Sequence, residues 1–140
     1  MILTADAERR ALLERSTTIA IVGASANPAR PSAGVFRALR RHAGLTVTPI
    51  NPGLDTVDGV RAYRTLAAYA ADHGAPDIVD VFRNPADAAG VAREAVAVGA
   101  KAIWFQLGVA SDEAIATADD AGLAVVSERC IKVDAARFLP

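Results

Sequence analysis

Cysteine is almost absent from this sequence, and a chain whose only cysteine is Cys130 can form neither an internal disulfide nor a zinc site built from cysteine pairs. Histidine is also scarce, and we expect His42 and His73 to be plain surface residues. Asp77 and Asp80 bracket a predicted strand but point to opposite faces, so we predict no metal site. A cytoplasmic location is the default expectation for such a chain.

Long apolar runs and an excess of charge of one sign are missing as well. No stretch approaches the ~18 apolar residues that a membrane helix needs, and residues 1–15 lack the layout of a secretion signal. The net charge of −1 gives no overall attraction to nucleic acid or to an anionic membrane, so any affinity for phosphate must be local. For 140 residues, 52% of them hydrophobic, we expect a single domain over residues 1–140, with a helix in residues 1–16 packed on it.

The sequence does contain a regular alternation of β-branched runs and alanine-rich segments. The predicted strands are Thr18–Val22, Leu45–Ile50, Ile78–Phe82, Ala102–Gln106 and Leu123–Val126. The segments between them have helical spacing, including residues 32–43 and 63–72, and a short tail follows the last strand. Apolar strands flanked by helices are typical of a parallel sheet covered on both faces. The sequence thus predicts an α/β, three-layer Rossmann-like fold whose five-stranded parallel sheet has the order 3-2-1-4-5.

The most informative segment is the loop after the first strand, where small residues lead into a helix that Ser32 opens. Exposed backbone N–H groups and a helix N-terminus both favour an anion. Gly23 permits a sharp turn and a close approach of phosphate, and Arg30 can form two parallel hydrogen bonds to it. Ala24 and Ser25 continue the turn, and the Ser25 hydroxyl is a further donor. The Gly-x-Gly-x-x-Gly pattern of the common dinucleotide site is absent, so we predict a phosphate-binding loop of another kind.

Further candidates follow the other strands, because ligands of such sheets lie outside the carboxyl ends of the strands. These candidates are Asn51, Pro52, Val81, Phe82, Arg83, Gln106 and Gly108. The set lacks the paired titratable groups of a general acid–base centre. An NAD site usually has an acid near the end of the second strand, where this chain has no carboxylate before Asp55. The pattern favours a phosphorylated adenosine ribose, as in NADP or coenzyme A.

Taken in order, these motifs resemble a known family. The residues concerned are Gly23-Ala24-Ser25, Asn27-Pro28, Arg30-Pro31-Ser32, Val47-Thr48-Pro49-Ile50-Asn51-Pro52, Asp80-Val81-Phe82-Arg83, Gly99-Ala100-Lys101, Trp104-Phe105-Gln106-Leu107-Gly108 and Glu128-Arg129-Cys130-Ile131. From about Thr17 onward, the chain resembles the stand-alone CoA-binding proteins. These are Rossmann-like domains related to the CoA-binding domain of succinyl-CoA synthetase alpha subunits. The resemblance implies a small-molecule ligand, coenzyme A or acyl-CoA.

The resemblance also implies where the parts of CoA would lie. The loop residues from Gly23 to Ser25, with Arg30 and Ser32, would hold the phosphates. Asn51 and Pro52 would border the adenosine end, and residues 81–83 would flank the nucleotide and the pantetheine. The synthetase relatives have a lysine soon after the second-strand proline, where this chain has Leu54. Arg30 or Arg83 is then left to supply that charge at the 3′-phosphate.

Catalysis is not predicted. The related ligases need a phosphorylated histidine in a further domain, and we nominate no catalytic residue here. One alternative is a small NADP- or nucleotide-linked enzyme that uses the same cleft. Another is an interaction protein whose fold has lost its ligand, and the sequence identifies no partner protein. Cys130 lies where the thiol of a bound CoA could approach, although a small buried residue is the simpler interpretation.

Overall fold

The computed structural model describes all 140 residues of the chain. Its helices and strands are α1 (Asp6–Arg15), β1 (Thr18–Val22), α2 (Pro31–Arg40), β2 (Thr46–Ile50), β3 (Thr56–Val57), β4 (Val60–Arg61), α3 (Leu66–His73), β5 (Ile78–Val81), α4 (Pro85–Ala97), β6 (Ala102–Phe105), α5 (Asp112–Asp120), β7 (Ala124–Val126) and α6 (Ile131–Phe138). The five predicted strands are all present as β1, β2, β5, β6 and β7, and each begins and ends within one residue of the predicted bounds.

The main sheet is parallel throughout and has the strand order β2-β1-β5-β6-β7. A short parallel bridge between Ile50 and Tyr63 continues it beyond β2. With this bridge counted as the third strand, the order is consistent with the predicted 3-2-1-4-5 pattern. The run Ile78–Val81 is the third predicted strand along the sequence. It lies beside β1, so in this pattern it is strand 4, and the bridge at Tyr63 is strand 3. A single bridging residue has no strand periodicity, so the sequence shows no sign of it.

Two further parts of the structure, the β3–β4 hairpin and α6, are not predicted from the sequence. The strands β3 and β4 form a small antiparallel hairpin around Asp58 and Gly59, both of which have positive φ. An Asp-Gly pair between β-branched residues is a strong hairpin signal, and it is the one that could have revealed this element. The predicted tail after the last strand is wrong, because Ile131–Phe138 forms the helix α6.

The sheet separates two cores, because successive side chains of a strand point to opposite faces. Ile19 and Ile21 of β1 pack with α1, α2 and α6, whereas Ala20 packs with α3, α4 and α5. In β6 the fully buried Trp104 faces the first of these helix layers and Phe105 faces the second. Helices on both faces of a parallel sheet confirm the predicted three-layer Rossmann-like architecture.

A buried ion pair joins α1 to α6. The Arg9 Nε atom donates to Asp134 Oδ2 at 2.8 Å, and the two side chains are 1% and 2% exposed. The same guanidinium donates to the Thr4 carbonyl oxygen at 2.6 Å and to the Asp6 carboxylate. Arg137 donates to the other Asp134 oxygen at 3.4 Å. Since a buried charge is tolerated only when it is paired and hydrogen-bonded, this network determines how α1 packs on α6.

None of the helices resembles a membrane span. The longest, α4, has 13 residues, whereas about 20 predominantly apolar residues are needed to cross a bilayer as a helix. No helix of the chain is both long and apolar enough to do so.

Replacing Arg9 with methionine removes the cation but keeps much of the side-chain volume. We expect Arg9→Met to lower the free energy of unfolding by about 3 kcal/mol, because Asp134 stays buried without its closest cation. Urea denaturation at pH 7 measures the change. Arg10→Met is the matched control, since Arg10 pairs with Glu14 on the exposed side of the same helix and contributes at most about 0.5 kcal/mol. Equal losses in the two variants would contradict a structural role for the buried pair.

Candidate ligand-binding site

The strand order creates a crevice at the carboxyl end of the sheet. After β1 the chain turns toward β2, whereas after β5 it turns the other way, toward β6. The loops that follow β1 and β5 therefore separate, and open α/β sheets bind ligands at such a point. Two adjoining cavities of about 520 and 350 Å³ open there, and Gly23, Arg83 and Asp87 line both.

The larger of the two, the first cavity, gathers most of the predicted site residues. It is lined by Gly23, Ala24, Ser25, Arg30, Ser32, Asn51, Phe82 and Arg83, together with Pro31, Asn84, Asp87 and Val109. The first eight are predicted site residues, and they come from the loop after β1, the end of β2 and the β5–α4 connection. Because these segments are distant in sequence, the folded sheet alone brings them together.

The smaller one, the second cavity, lies between the start of α3 and one side of α4. It is lined by Val22, Gly23, Ile50, Pro52, Arg64, Thr65, Leu66, Arg83, Asp87, Gly90, Val91 and Glu94. Pro52 is the predicted site residue that lies here and not in the first cavity. The walls carry two arginines and two acids, and the floor is apolar.

Hydrogen bonds within the loop after β1 hold it in shape. The Ser32 Oγ atom accepts from the Ser25 backbone N–H at 3.1 Å, and Ser25 Oγ accepts from the N–H of Asn27 at 3.1 Å. The Asn27 side chain in turn accepts from the N–H of Ala29 at 3.0 Å. The side chain of Ser32 is nearly buried. The two serines therefore stabilise the loop by accepting hydrogen bonds from its backbone. Each hydroxyl can still donate its own proton to a ligand.

Positive charge at the mouth of the first cavity comes from Arg30 and from α2. Arg30 occupies the N-cap position of this helix, and its exposed guanidinium has no ion-pair partner in the structure. The first turn of α2 contains no acidic residue, so the positive end of the helix dipole is not neutralised. An anion in the first cavity would meet a helix N-terminus and a free guanidinium together.

Gly23 allows two backbone segments to approach each other at the junction of the cavities. Its φ is +85°, and a Cβ atom added there would lie 2.0 Å from the carbonyl oxygen of Phe82. The N–H of Phe82 donates to the carbonyl oxygen of Val22 at 2.8 Å, just before this glycine. The loop after β1 and the exit from β5 are thus in direct contact, and a side chain at Gly23 would separate them.

Arg83 stands between the two cavities and is only weakly paired. Its Nη2 atom donates to Asp87 Oδ2 at 3.5 Å, and the two side chains are 40% and 45% exposed. A pair this open to water contributes little energy. An anionic ligand in either cavity can therefore take over the guanidinium of Arg83.

Asn51 joins the loops that follow β1 and β2. Its Nδ2 atom donates to the carbonyl oxygen of Ala24 at 2.7 Å, and its Oδ1 atom accepts from the N–H of Gly53 at 2.7 Å. Both ends of the amide are therefore occupied inside the protein. The position that holds an acid in NAD sites is filled here by a neutral side chain with a structural role.

Three predicted site residues are not brought into either cavity. Val81 is fully buried in the core on the α4 side of the sheet. Gln106 is buried as well, with its Nε2 atom donating to Asp80 and its Oε1 atom accepting from the N–H of Ile131 at 3.4 Å. The N–H of Gly108 faces the Glu128 carboxylate at 3.2 Å, outside the cavity walls. The geometry gives these residues internal contacts, and it does not bring them to the crevice.

Several residues that line the two cavities are not among the predicted site residues. Asn84 and Asp87 carry the signal of a helix start, and the structure shows that the same residues also face the first cavity. Arg64 is the larger omission, because the predicted helix over residues 63–72 includes it. The actual helix begins after the N-cap Thr65, whose side chain accepts from the N–H of Ala68. The threonine could have placed this boundary, and with it Arg64 in a loop beside the crevice.

The two histidines lie away from the crevice. The His73 ring stacks on Tyr69 with 4.7 Å between centroids and lies 3.1 Å from the Tyr63 hydroxyl. His42 is 3.0 Å from the carbonyl oxygen of Pro140, near the opposite end of the sheet. Nowhere does the chain bring together three His, Cys, Asp or Glu side chains that could hold a metal ion.

Substitution at Gly23 tests whether the close approach of the two loops is needed. We expect Gly23→Ala to lower the free energy of unfolding by at least about 2 kcal/mol, through the strained φ and the displacement of Phe82. Gly34→Ala is the control, because an added Cβ there meets nothing within 4 Å in the middle of α2. It should raise stability by about 0.5–1 kcal/mol. Thermal or urea unfolding measures both, and a fully stable Gly23→Ala protein would contradict this account.

The carboxyl group of Asp80, beside Gln106, makes stability depend on pH. Complete burial raises its pKa to about 8, although the hydrogen bond from Gln106 opposes the shift, and its Oδ2 atom has no partner. Between its ordinary pKa of 3.8 and this value, the folded protein keeps a proton that the unfolded chain releases. The stability contribution of Asp80 is therefore largest below pH 3.8 and decreases as the pH rises toward 8.

We expect Asp80→Asn to reduce the loss of stability that accompanies a rise in pH. At pH 8 the variant should be more stable than the wild type by at least about 1.4 kcal/mol, the free energy of one pKa unit. Denaturation midpoints measured from pH 4 to pH 8 give the comparison. Replacing the exposed Asp120 in the same way is the control and should leave the wild-type profile unchanged. Parallel profiles for Asp80→Asn and the wild type would refute the buried neutral carboxyl.

Known proteins resemble the chain over nearly its whole length. The CoA binding domain family matches residues 17–136. The uncharacterized protein YneT of Bacillus subtilis (strain 168) is 38% identical over 127 residues, which is 91% of each chain. Among solved structures, a hypothetical protein from Pyrococcus horikoshii OT3 has a TM-score of 0.89 and 32% identity, with 96% of this chain and 92% of that chain covered.

A likeness to a larger protein concerns the fold alone. Dinucleotide forming acetyl-coenzyme A synthetase 1 of Ca. Korarchaeum cryptofilum, in its apo form, has a TM-score of 0.68 and 22% identity. It covers 80% of this chain, which corresponds to only 26% of that protein. The family match is more informative, because residues 17–136 include every residue that lines the two cavities. The chain therefore belongs to the family of CoA binding domains.

Proposed function

We propose that this protein binds coenzyme A, free or acylated, in the crevice between the loops that follow β1 and β5. The observation that carries the proposal is the unpaired guanidinium of Arg30 at the uncapped, acid-free start of α2, beside the turn at Gly23. This is a place where a diphosphate is stabilised by a cation, a helix dipole and backbone N–H groups together. Membership of the CoA binding domain family supports the same ligand.

The end of β2 supports CoA over NAD. A free ribose hydroxyl pair is usually held by an acid at this position, whereas Asn51 is neutral and engaged with Ala24 and Gly53. A phosphate on the ribose would be repelled by an acid and is not repelled by an amide. The first cavity then takes the diphosphate, with Phe82 as an apolar wall beside it.

The site is proposed as a binding site without a reacting group of its own. Among the residues that line the two cavities, the titratable ones are three arginines and two acids, Asp87 and Glu94. Asp87 is paired with Arg83. A carboxylate that an anionic ligand can replace at this arginine fits a binding site better than a proton-transfer group does. We assign no catalytic residue, and the acyl group or thiol of the ligand is left unchanged by the protein in this proposal.

Ligand-induced stabilisation tests the proposal. CoA at 100 times its dissociation constant should raise the free energy of unfolding by about 2.7 kcal/mol, seen as a rise of several degrees in the melting temperature. Arg30→Gln should weaken CoA binding about tenfold or more, since it removes a charge-assisted contact to phosphate. Arg15→Gln is the control, because Arg15 is exposed at the end of α1, at the opposite end of the sheet.

Two outcomes would overturn the proposal. Stabilisation by NADPH but not by CoA would favour an NADP-linked enzyme that uses the same crevice. No stabilisation by either ligand would favour a protein that acts through a macromolecular partner. Native mass spectrometry of the protein purified without added ligand gives an independent check, because a retained CoA adds a known mass.

A further inference from the structure

The second cavity has a chemistry of its own. Its floor is formed by apolar side chains from the ends of β1 and β2 and from α3 and α4, namely Val22, Ile50, Leu66 and Val91. Gly90 on α4 has no side chain, and a Cβ built there would approach nothing closer than 3.8 Å. An apolar floor beside an open glycine can accommodate a ring system, and the cavity also has charged groups in its lining.

Arg64 is the cation at the outer edge of this cavity. Its Nη1 atom donates to the carbonyl oxygen of Pro52 at 2.9 Å, and its Nη2 atom lies 3.3 Å from Asp55 Oδ1. The carbonyl contact positions the guanidinium at the end of β2. The Asp55 contact is weak, since the two side chains are 67% and 89% exposed. A guanidinium has five N–H donors, so Arg64 can keep Pro52 and exchange Asp55 for a ligand anion.

The acids of the cavity lie on α4, on the other wall. Asp87 is shared with the first cavity, where it contacts Arg83, and Glu94 lies about two turns further along the helix. An anion on the α4 side would face these carboxylates. An anion on the β2 side would face Arg64 and the start of α3. Away from the junction at Arg83, the charge distribution therefore offers one place for a phosphate in this cavity, next to Arg64.

The two cavities meet at Gly23, Arg83 and Asp87. One ligand that passes over Gly23 can therefore place one phosphate group beside Arg30 in the first cavity and another beside Arg64 in the second. A nucleotide with phosphates on both its 5′ and its 3′ positions has this arrangement. A nucleotide with a free ribose leaves Arg64 with only its contacts to Pro52 and Asp55.

We propose that Arg64 is the residue that recognises the 3′-phosphate of the CoA adenosine ribose, with the adenosine in the second cavity. This inference rests on the proposed function and adds a specificity determinant to it. Leu54 cannot supply that charge, and Arg83 lies at the junction of the two cavities, whereas Arg64 lies at the end of β2. Arg64 comes from a different segment, twelve positions after the end of the second-strand motif at Pro52, and reaches the same end of β2 through the fold.

Comparison of CoA with dephospho-CoA, which lacks the 3′-phosphate, isolates this contact. Isothermal titration calorimetry should show that the wild-type protein binds CoA about tenfold or more tightly than dephospho-CoA. Arg64→Gln should remove that preference by weakening CoA binding alone, with dephospho-CoA bound as by the wild type. Arg64→Lys should keep part of the preference, since it keeps the charge but not the fork of donors.

Two control variants separate the contact from general effects. Arg61→Gln removes an exposed arginine that pairs with Asp72 and lines neither cavity, and the preference for CoA should persist. Asp55→Asn removes the competing acid and should leave CoA binding unchanged or tighter. The melting temperatures of the ligand-free variants show whether each one is folded.

The outcomes distinguish the two proposals. If the wild-type protein binds neither ligand, the proposed function fails. If it binds both equally, or if Arg64→Gln weakens both to the same extent, the crevice binds CoA but the role of Arg64 is refuted. A loss of preference in Arg61→Gln equal to that in Arg64→Gln would also refute it, because the effect would then be one of net charge.

Discussion

The backbone contact between Gly23 and Phe82 is the constraint on which the crevice depends. A Cβ at Gly23 would lie 2.0 Å from the carbonyl oxygen of Phe82, so the two loops can meet only because this residue has no side chain. Their contact places the start of α2 and the start of α4 on the two sides of one opening. Arg30 and Arg83 are then brought to the same cavity, although they belong to different crossovers of the sheet.

Local positive charge would let a chain with a net charge of −1 bind an anion at the crevice, as proposed. Arg30, Arg64 and Arg83 come from three loops that meet at the carboxyl edge of the sheet. Each is held differently: Arg30 is free, Arg64 is positioned by a carbonyl oxygen, and Arg83 is loosely paired with an acid. Exposed pairs of this kind exchange readily for a ligand, because water has already weakened them.

The interior accommodates charge in two other ways. Arg9 and Asp134 form a buried ion pair, in which Arg9 also donates to the Thr4 carbonyl oxygen and Asp134 also accepts from Arg137. Asp80 has no cation near it, so burial raises its pKa to about 8 and it stays protonated at neutral pH. The first arrangement joins two helices. The second places a neutral carboxyl behind Gln106, which explains why that residue is turned inward rather than toward the crevice.

Local sequence patterns predict the strands, the parallel sheet with helices on both faces, and the loop from Gly23 to Ser32, because β-branched runs, helix caps and small turn residues act over a few positions. Other features depend on contacts that form only in the folded chain. The helix Ile131–Phe138 has no side-chain cap and is stabilised by its packing and by the pair between Asp134 and Arg9. The burial of Gln106 and the place of Arg64 beside Pro52 are contacts between distant segments. No local pattern encodes such contacts, since they exist only once the sheet has formed.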